Sequence, residues 1–154
     1  MNHIEAKFSP ISDEARSELA DLRSFVSGLV VRFLPGCDLL QTAEDFGTLQ
    51  QLRDVDAMRD ANYGAWVAIG VAFGDALINF IPGLAWCMES DQFGTNAALR
   101  FRQSGLSIAV LSIFWKRVER GEAIDVRHIA NELSTIVANH DAQPIAAANS
   151  CADC

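Results

Sequence analysis

Residues 63–102 read YGAWVAIGVAFGDALINFIPGLAWCMESDQFGTNAALRFR, and a change of period inside this stretch decides the fold. Up to Phe80 the spacing is helical. Tyr63, Trp66, Val67, Gly70, Gly74, Leu77 and Ile81 form one line, and Ala65, Ile69, Ala72, Phe73, Ala76 and Phe80 cover most of the remaining circumference. A helix that is apolar nearly all round belongs in the centre of a protein, so the pattern predicts a core helix from Asp60 to Phe80. Gly70 and Gly74 each cost ~1 kcal/mol relative to Ala in a helix, which close contact with another backbone would offset. A strand of the same domain is the expected neighbour. Pro82-Gly83 stops the helix, and the period then falls to two. Leu84, Trp86 and Met88 alternate with Ala85, Cys87 and Glu89, while Ala98, Arg100 and Arg102 alternate with Leu99 and Phe101. Leu106–Ile113 is a third apolar run rich in β-branched residues. Short connections between the runs predict a three-stranded antiparallel meander.

Helices flank this stretch on both sides. Upstream, a helix is predicted from Ser9 or Ser12 to Phe33, with Asp13 and Glu14 in the first turn, where the dipole favours anions. Its buried stripe is Ala15, Leu19, Leu22, Val26, Leu29 and Phe33. Thr42 followed by Asp45 approximates a capping box for a second helix that buries Phe46, Leu49 and Leu52. Downstream, a short helix covers Phe114–Glu119. Asp125 then caps a last helix that turns Val126, Ile129, Leu133, Ile136 and Val137 inward. Helices and strands thus come in blocks: three helices, three strands, two helices. That order predicts an α+β fold in one domain, residues 1–141. The tail, residues 142–154, is rich in Ala, Asn, Pro and Ser and is expected to be disordered.

Composition narrows the function. The chain has 154 residues, of which 50% are hydrophobic and 21% charged, which suits a globular domain. Twelve Lys and Arg stand against 20 Asp and Glu, a net charge of −8. Binding to a nucleic-acid backbone is therefore not expected. No secretory leader is visible, and Asp75, Asn79 and Pro82-Gly83 interrupt the most apolar stretch. A cytoplasmic protein with no membrane contact is expected.

Motifs for chemistry are missing. Neither a phosphate-binding loop nor a dinucleotide fingerprint occurs, and the zinc-protease signature and nucleophile elbow are absent. His3, His128 and His140 lie apart, and no metal or cofactor is expected. Cys151-Ala152-Asp153-Cys154 is a single C-x-x-C without the strand–helix context of a redox motif or the further ligands of a zinc site. The carboxylates offer more. Glu89 and Asp91 end a predicted strand and Asp75 lies in the core helix, so with Arg100 they could serve acid–base work. The simpler expectation is that Arg100 and Arg102 pair with Glu89 and Asp91 across the hairpin. Asp75, if buried, requires a partner that the sequence does not name.

Gly70-Val71-Ala72-Phe73-Gly74-Asp75-Ala76-Leu77 is followed by Trp86, by Asp91-Gln92-Phe93-Gly94, by Ala98-Leu99-Arg100 and by Lys116-Arg117-Val118-Glu119-Arg120-Gly121-Glu122. This series resembles a family of small bacterial domains of unknown function over residues 60–130. The resemblance implies an α+β fold and no reaction. Glu14, Glu18 and Asp21 share one face of the first helix, an acidic patch suited to a basic protein. The expectation is a protein-binding domain, such as an immunity protein that neutralises a basic bacterial toxin. Contacts would come through Glu14, Glu18 and Asp21, with Trp86 and Phe93 on the meander as a second surface. A small enzyme using Glu89 and Asp91, or a homo-oligomeric scaffold module, is the alternative.

Overall fold

A computed structural model describes residues 5–151, with side chains as far as Ala142. The fold is α+β: five α-helices and a four-stranded antiparallel sheet in the order β1-β2-β3-β4. The three predicted strands are β2 (Leu84–Asp91), β3 (Gly94–Phe101) and β4 (Ser107–Ile108). β1 (Lys7–Ser9) joins the free edge of β2, pairing Phe8 with Glu89. It is too short to show a period of two, so its sequence carries no strand signal. β4 shrinks to two residues, because the chain after Ile108 leaves the sheet. Val110 instead packs, fully buried, in the core cluster.

α3 (Tyr63–Phe80) is the central helix, with every residue from Ala65 to Leu77 buried. It is long and apolar enough to cross a membrane by length and composition, yet 72% of that window is buried inside the fold. Its start is capped by Asn62, whose side chain accepts from the Ala65 N–H at 3.0 Å. A Cβ on Gly70 would run into the Val110 carbonyl oxygen. One on Gly74 would sit 2.9 Å from Trp86 Cζ2 and 3.1 Å from Val110 Cγ2. The two glycines thus seat α3 against β2 and the segment leaving β4. Their cost in helix propensity is the condition for that approach.

α1 (Asp13–Phe33) starts at Ser12, whose hydroxyl accepts from the Ala15 N–H at 3.1 Å. It buries Ala15, Leu19, Val26 and Val30. α2 (Glu44–Asp54) departs from the expected capping box. Its N-cap is Ala43, with no side-chain cap. Asp45 is instead 1% exposed and accepts from the N–H groups of Leu40 and Gln41. Those bonds hold the preceding loop, where Gln41 has φ +60. A 3-10 turn over Asp56–Met58 follows α2. Phe46, Phe73, Phe80 and Phe114 pack around the junction of α2, α3 and α4 (Ile113–Glu119), Phe46–Phe80 and Phe73–Phe114 edge to face and Phe46–Phe73 tilted. α5 is Val126–Cys151, and its backbone runs past Asp141 into the segment that the composition marks as a tail. Side chains beyond Ala142, including Cys151, and all of Cys154 lie outside the described residues.

The hairpin register places Trp86 opposite Leu99 and Ala85 opposite Arg100. Leu84, Leu99 and Phe101 therefore turn into the core, and Cys87, Glu89 and Arg100 share the outer face with Phe8.

Candidate functional site

The register separates the residues that the sequence grouped. Arg100 does not pair with Glu89 or Asp91. It sits four rungs from Glu89, which pairs with Asn96; its guanidinium stacks 4.2 Å from the Phe8 ring centroid, and its Nε donates to the Ser104 carbonyl at 2.7 Å. Arg102 lies past the end of β3 and pairs with Asp141 at 2.9 Å. Glu89 accepts from the Ser107 hydroxyl at 2.9 Å, and Asp91 accepts from the Phe93 N–H at 2.8 Å to close the hairpin loop. Each carboxylate holds a piece of backbone or a neighbouring strand. Among the described residues, no three His, Cys, Asp or Glu side chains converge as metal ligands.

Asp75 has the partners that its burial demands. It is 7% exposed. Arg23 on α1 grips it bidentately, Nε to Oδ2 at 2.7 Å and Nη2 to Oδ1 at 2.9 Å. The Trp86 indole N–H donates to Oδ1 at 3.0 Å. Three elements, α1, α3 and β2, meet at one carboxylate. The ion pair lifts the Arg23 guanidinium further above its already high range, chiefly through the hydrogen bond to Asp75. A fork matched to a carboxylate is the strong form of such a pair. Beside it lies a cavity of about 60 Å³, large enough for one or two waters. Arg23 escaped the sequence reading, yet one signal was present. It stands beside the buried stripe of α1, one residue after Leu22, and so points along the edge of the α1–α3 interface.

Cys87, on the outer face of the sheet, is buried, and that burial pushes its thiol above the usual range; Arg100 opposes the shift and Glu89 adds to it. Such a thiol is a packing residue rather than a nucleophile.

The expected contact residues take different positions. Glu14, Glu18 and Asp21 are exposed along one side of α1. Phe25 continues the same line one turn on and is 49% exposed. None of the three carboxylates forms an ion pair among the described residues; the nearby Arg16 pairs with Asp13 at 3.5 Å. Trp86 is half-buried and committed to Asp75, whereas Phe93 is 85% exposed at the tip of the β2–β3 hairpin. Trp86 and Phe93 therefore do not form one surface.

Helices α1–α3 leading into a short antiparallel sheet, with α4 and α5 after it, define an α+β domain held around a single apolar helix. This chain belongs to the family described as domain of unknown function DUF3806, which matches residues 45–129. The match takes in Asp75 and Trp86 and leaves Arg23 and the acidic face of α1 outside. The chain is also similar to a crystal structure from Bacteroides thetaiotaomicron VPI-5482 at 1.50 Å resolution. The identity is 21% and the TM-score 0.75, over 86% of this chain and 48% of that one. It thus spans about half the length of that structure, and the likeness bears on the fold alone. No curated protein matches the chain.

Proposed function

We propose that this domain binds a basic protein in the cytoplasm, and that the acidic side of α1 is its contact surface. The observation that carries this reading is the line Glu14, Glu18, Asp21 and Phe25. It combines three exposed carboxylates outside any ion pair among the described residues with an aromatic ring 49% exposed. Carboxylates used for structure in this fold, at Asp45, Asp75, Glu89 and Asp91, are each hydrogen-bonded. Glu14, Glu18 and Asp21 make no side-chain hydrogen bond or ion pair among the described residues. A charged flank around an aromatic anchor supplies steering and desolvated contact area together. Within this class, an immunity protein that neutralises a basic toxin is the specific form of the proposal, supported by the acidity of the chain and the absence of recognisable catalytic motifs.

The test is co-purification of a partner from the native host, followed by association kinetics. The variant Glu14→Lys, Glu18→Lys, Asp21→Lys should associate more slowly, most clearly at low salt. The difference should fade as the Debye length contracts from ~10 Å at 0.1 M salt to ~3 Å at 1 M. Equal rates for both proteins at every salt concentration would place the interface elsewhere.

A further inference from the structure

A cleft of about 290 Å³ opens between the end of α2, the 3-10 turn that follows it and the α4–α5 connection. It lies wholly within residues 53–124 and so within the family match. Trp66 of α3 lines it and is 4% exposed, yet its indole N–H finds no acceptor among the described residues. Arg53, on the same wall, has a buried Nε–H in the same condition. Buried donors are almost always satisfied, and two unpartnered ones at one cleft mark a place where an acceptor belongs. Neither nitrogen has appreciable accessible surface, so a ligand reaches them only where the surrounding side chains give way. The Arg53 side chain is 38% exposed, and its contact with Asp54 at 3.4 Å must break for it to swing outward as a ligand enters.

The rest of the lining decides which acceptor. Arg53 already meets Asp54 at 3.4 Å, and Arg59 meets Asp56 at 3.2 Å. Glu122 adds a third carboxylate, which itself lies 3.8 Å from Arg120. Each charge on the rim thus already has an opposite neighbour, so a simple anion meets no net positive charge. A molecule carrying both a carboxylate and an ammonium needs none. Met58 and Ile124 add apolar wall, and the volume sits at the small end of ligand sites. We propose that the cleft binds a small zwitterion of the α-amino-acid type. Its carboxylate accepts from the Trp66 indole N–H and the Arg53 Nε–H, and its ammonium lies toward Asp54, Asp56 and Glu122. This site is independent of the α1 surface and stands or falls without it.

The test uses the full chain labelled with 15N, in which Trp66, Trp86 and Trp115 each give an indole N–H signal. Trp66→Phe identifies the Trp66 signal. The probes are the free proteinogenic L-amino acids, one at a time at millimolar concentration, with acetate alone and methylammonium alone as half-ligands. At least one amino acid should move the Trp66 signal downfield and saturably while the Trp86 signal stays in place. Acetate and methylammonium should each bind at least about tenfold more weakly, the sign that both ends of the zwitterion are recognised. Asp56 is 94% exposed on its side chain, so Asp56→Asn keeps the fold and should weaken binding several-fold. No saturable shift with any amino acid overturns the site. A shift by acetate equal to that of the best amino acid, or unchanged affinity in Asp56→Asn, overturns the zwitterion assignment.

Discussion

Replacing Gly70 with Ala sets two opposing effects against each other, and the structure decides the sign. In an exposed helix interior Gly→Ala stabilises by ~1 kcal/mol, because Ala has the better helix propensity and restricts the unfolded chain. Gly28, in the exposed flank of α1, tests that baseline: a Cβ there meets nothing within 4 Å. Gly28→Ala should therefore gain about 0.5–1 kcal/mol. At Gly70 the same methyl group collides with the Val110 carbonyl oxygen, with the Val110 carbonyl carbon at 3.3 Å and Leu111 Cα at 3.4 Å. The obstacle is backbone, which no rotamer change relieves. Val110 is 0% exposed, and its N–H is bonded to the Ile108 carbonyl at 3.0 Å. Overpacking of this kind costs about 1–3 kcal/mol, and rigid backbone puts Gly70 at the upper end. After the propensity gain the net loss is about 1–2 kcal/mol. For a domain of this size each kcal/mol moves Tm by about 2–4 °C. Thermal unfolding by circular dichroism should show Gly28→Ala melting a few degrees higher than the natural chain and Gly70→Ala a few degrees lower. A Gly70→Ala protein as stable as Gly28→Ala would show that α3 does not rest on the Val110 segment.

Three further outcomes follow from the contacts. Arg23→Ala leaves Asp75 buried with only the Trp86 donor. Loss of one partner of a buried pair costs about 3–5 kcal/mol, and because the Arg23 side chain is 32% exposed, water relieves part of it, so about 2 kcal/mol is expected from urea unfolding. In a double-mutant cycle, Arg23→Leu with Asp75→Leu should be less damaging than the two single changes combined, and strict additivity would dissolve the ion pair as a stabilising unit. Phe93→Ser should leave Tm within about 2 °C, since surface changes fall within about 0.5 kcal/mol, and a larger drop would mean that the hairpin tip docks on something. For Cys87, burial favours the neutral thiol in the folded state. Its contribution to stability is then complete below the ordinary thiol range and declines as pH rises toward the elevated folded value. Cys87→Ala should show a flatter alkaline stability profile, and peptide mapping after iodoacetamide should find Cys87 modified more slowly than the less buried Cys37.

The elements were legible wherever a period ran long enough to be read. α3 is apolar on every side, α1 carries an unbroken stripe, and the change at Pro82-Gly83 marks the entry to β2; each is a local property of the chain. β1 was not legible, because three residues cannot display alternation, and only pairing with β2 makes Lys7–Ser9 a strand. Asp45 looked like half of a capping box, since acidic residues near helix starts usually act there. Burial turned its carboxylate toward the loop before α2 instead.

Sequence alone determined the α+β class, the single apolar helix and the need for something close at Gly70 and Gly74. It also showed that a buried Asp75 must have a partner. The physical reason is that periodicity and burial cost are set residue by residue along the chain. Tertiary structure decided who those partners are. Arg23 lies 52 positions from Asp75, and the cross-strand register, not the charge pattern, moved Arg100 and Arg102 away from Glu89 and Asp91. The same holds for the cleft at Trp66, whose walls come from α2, α3 and the α4–α5 connection. Contacts between distant segments depend on how faces dock, and no local period encodes that.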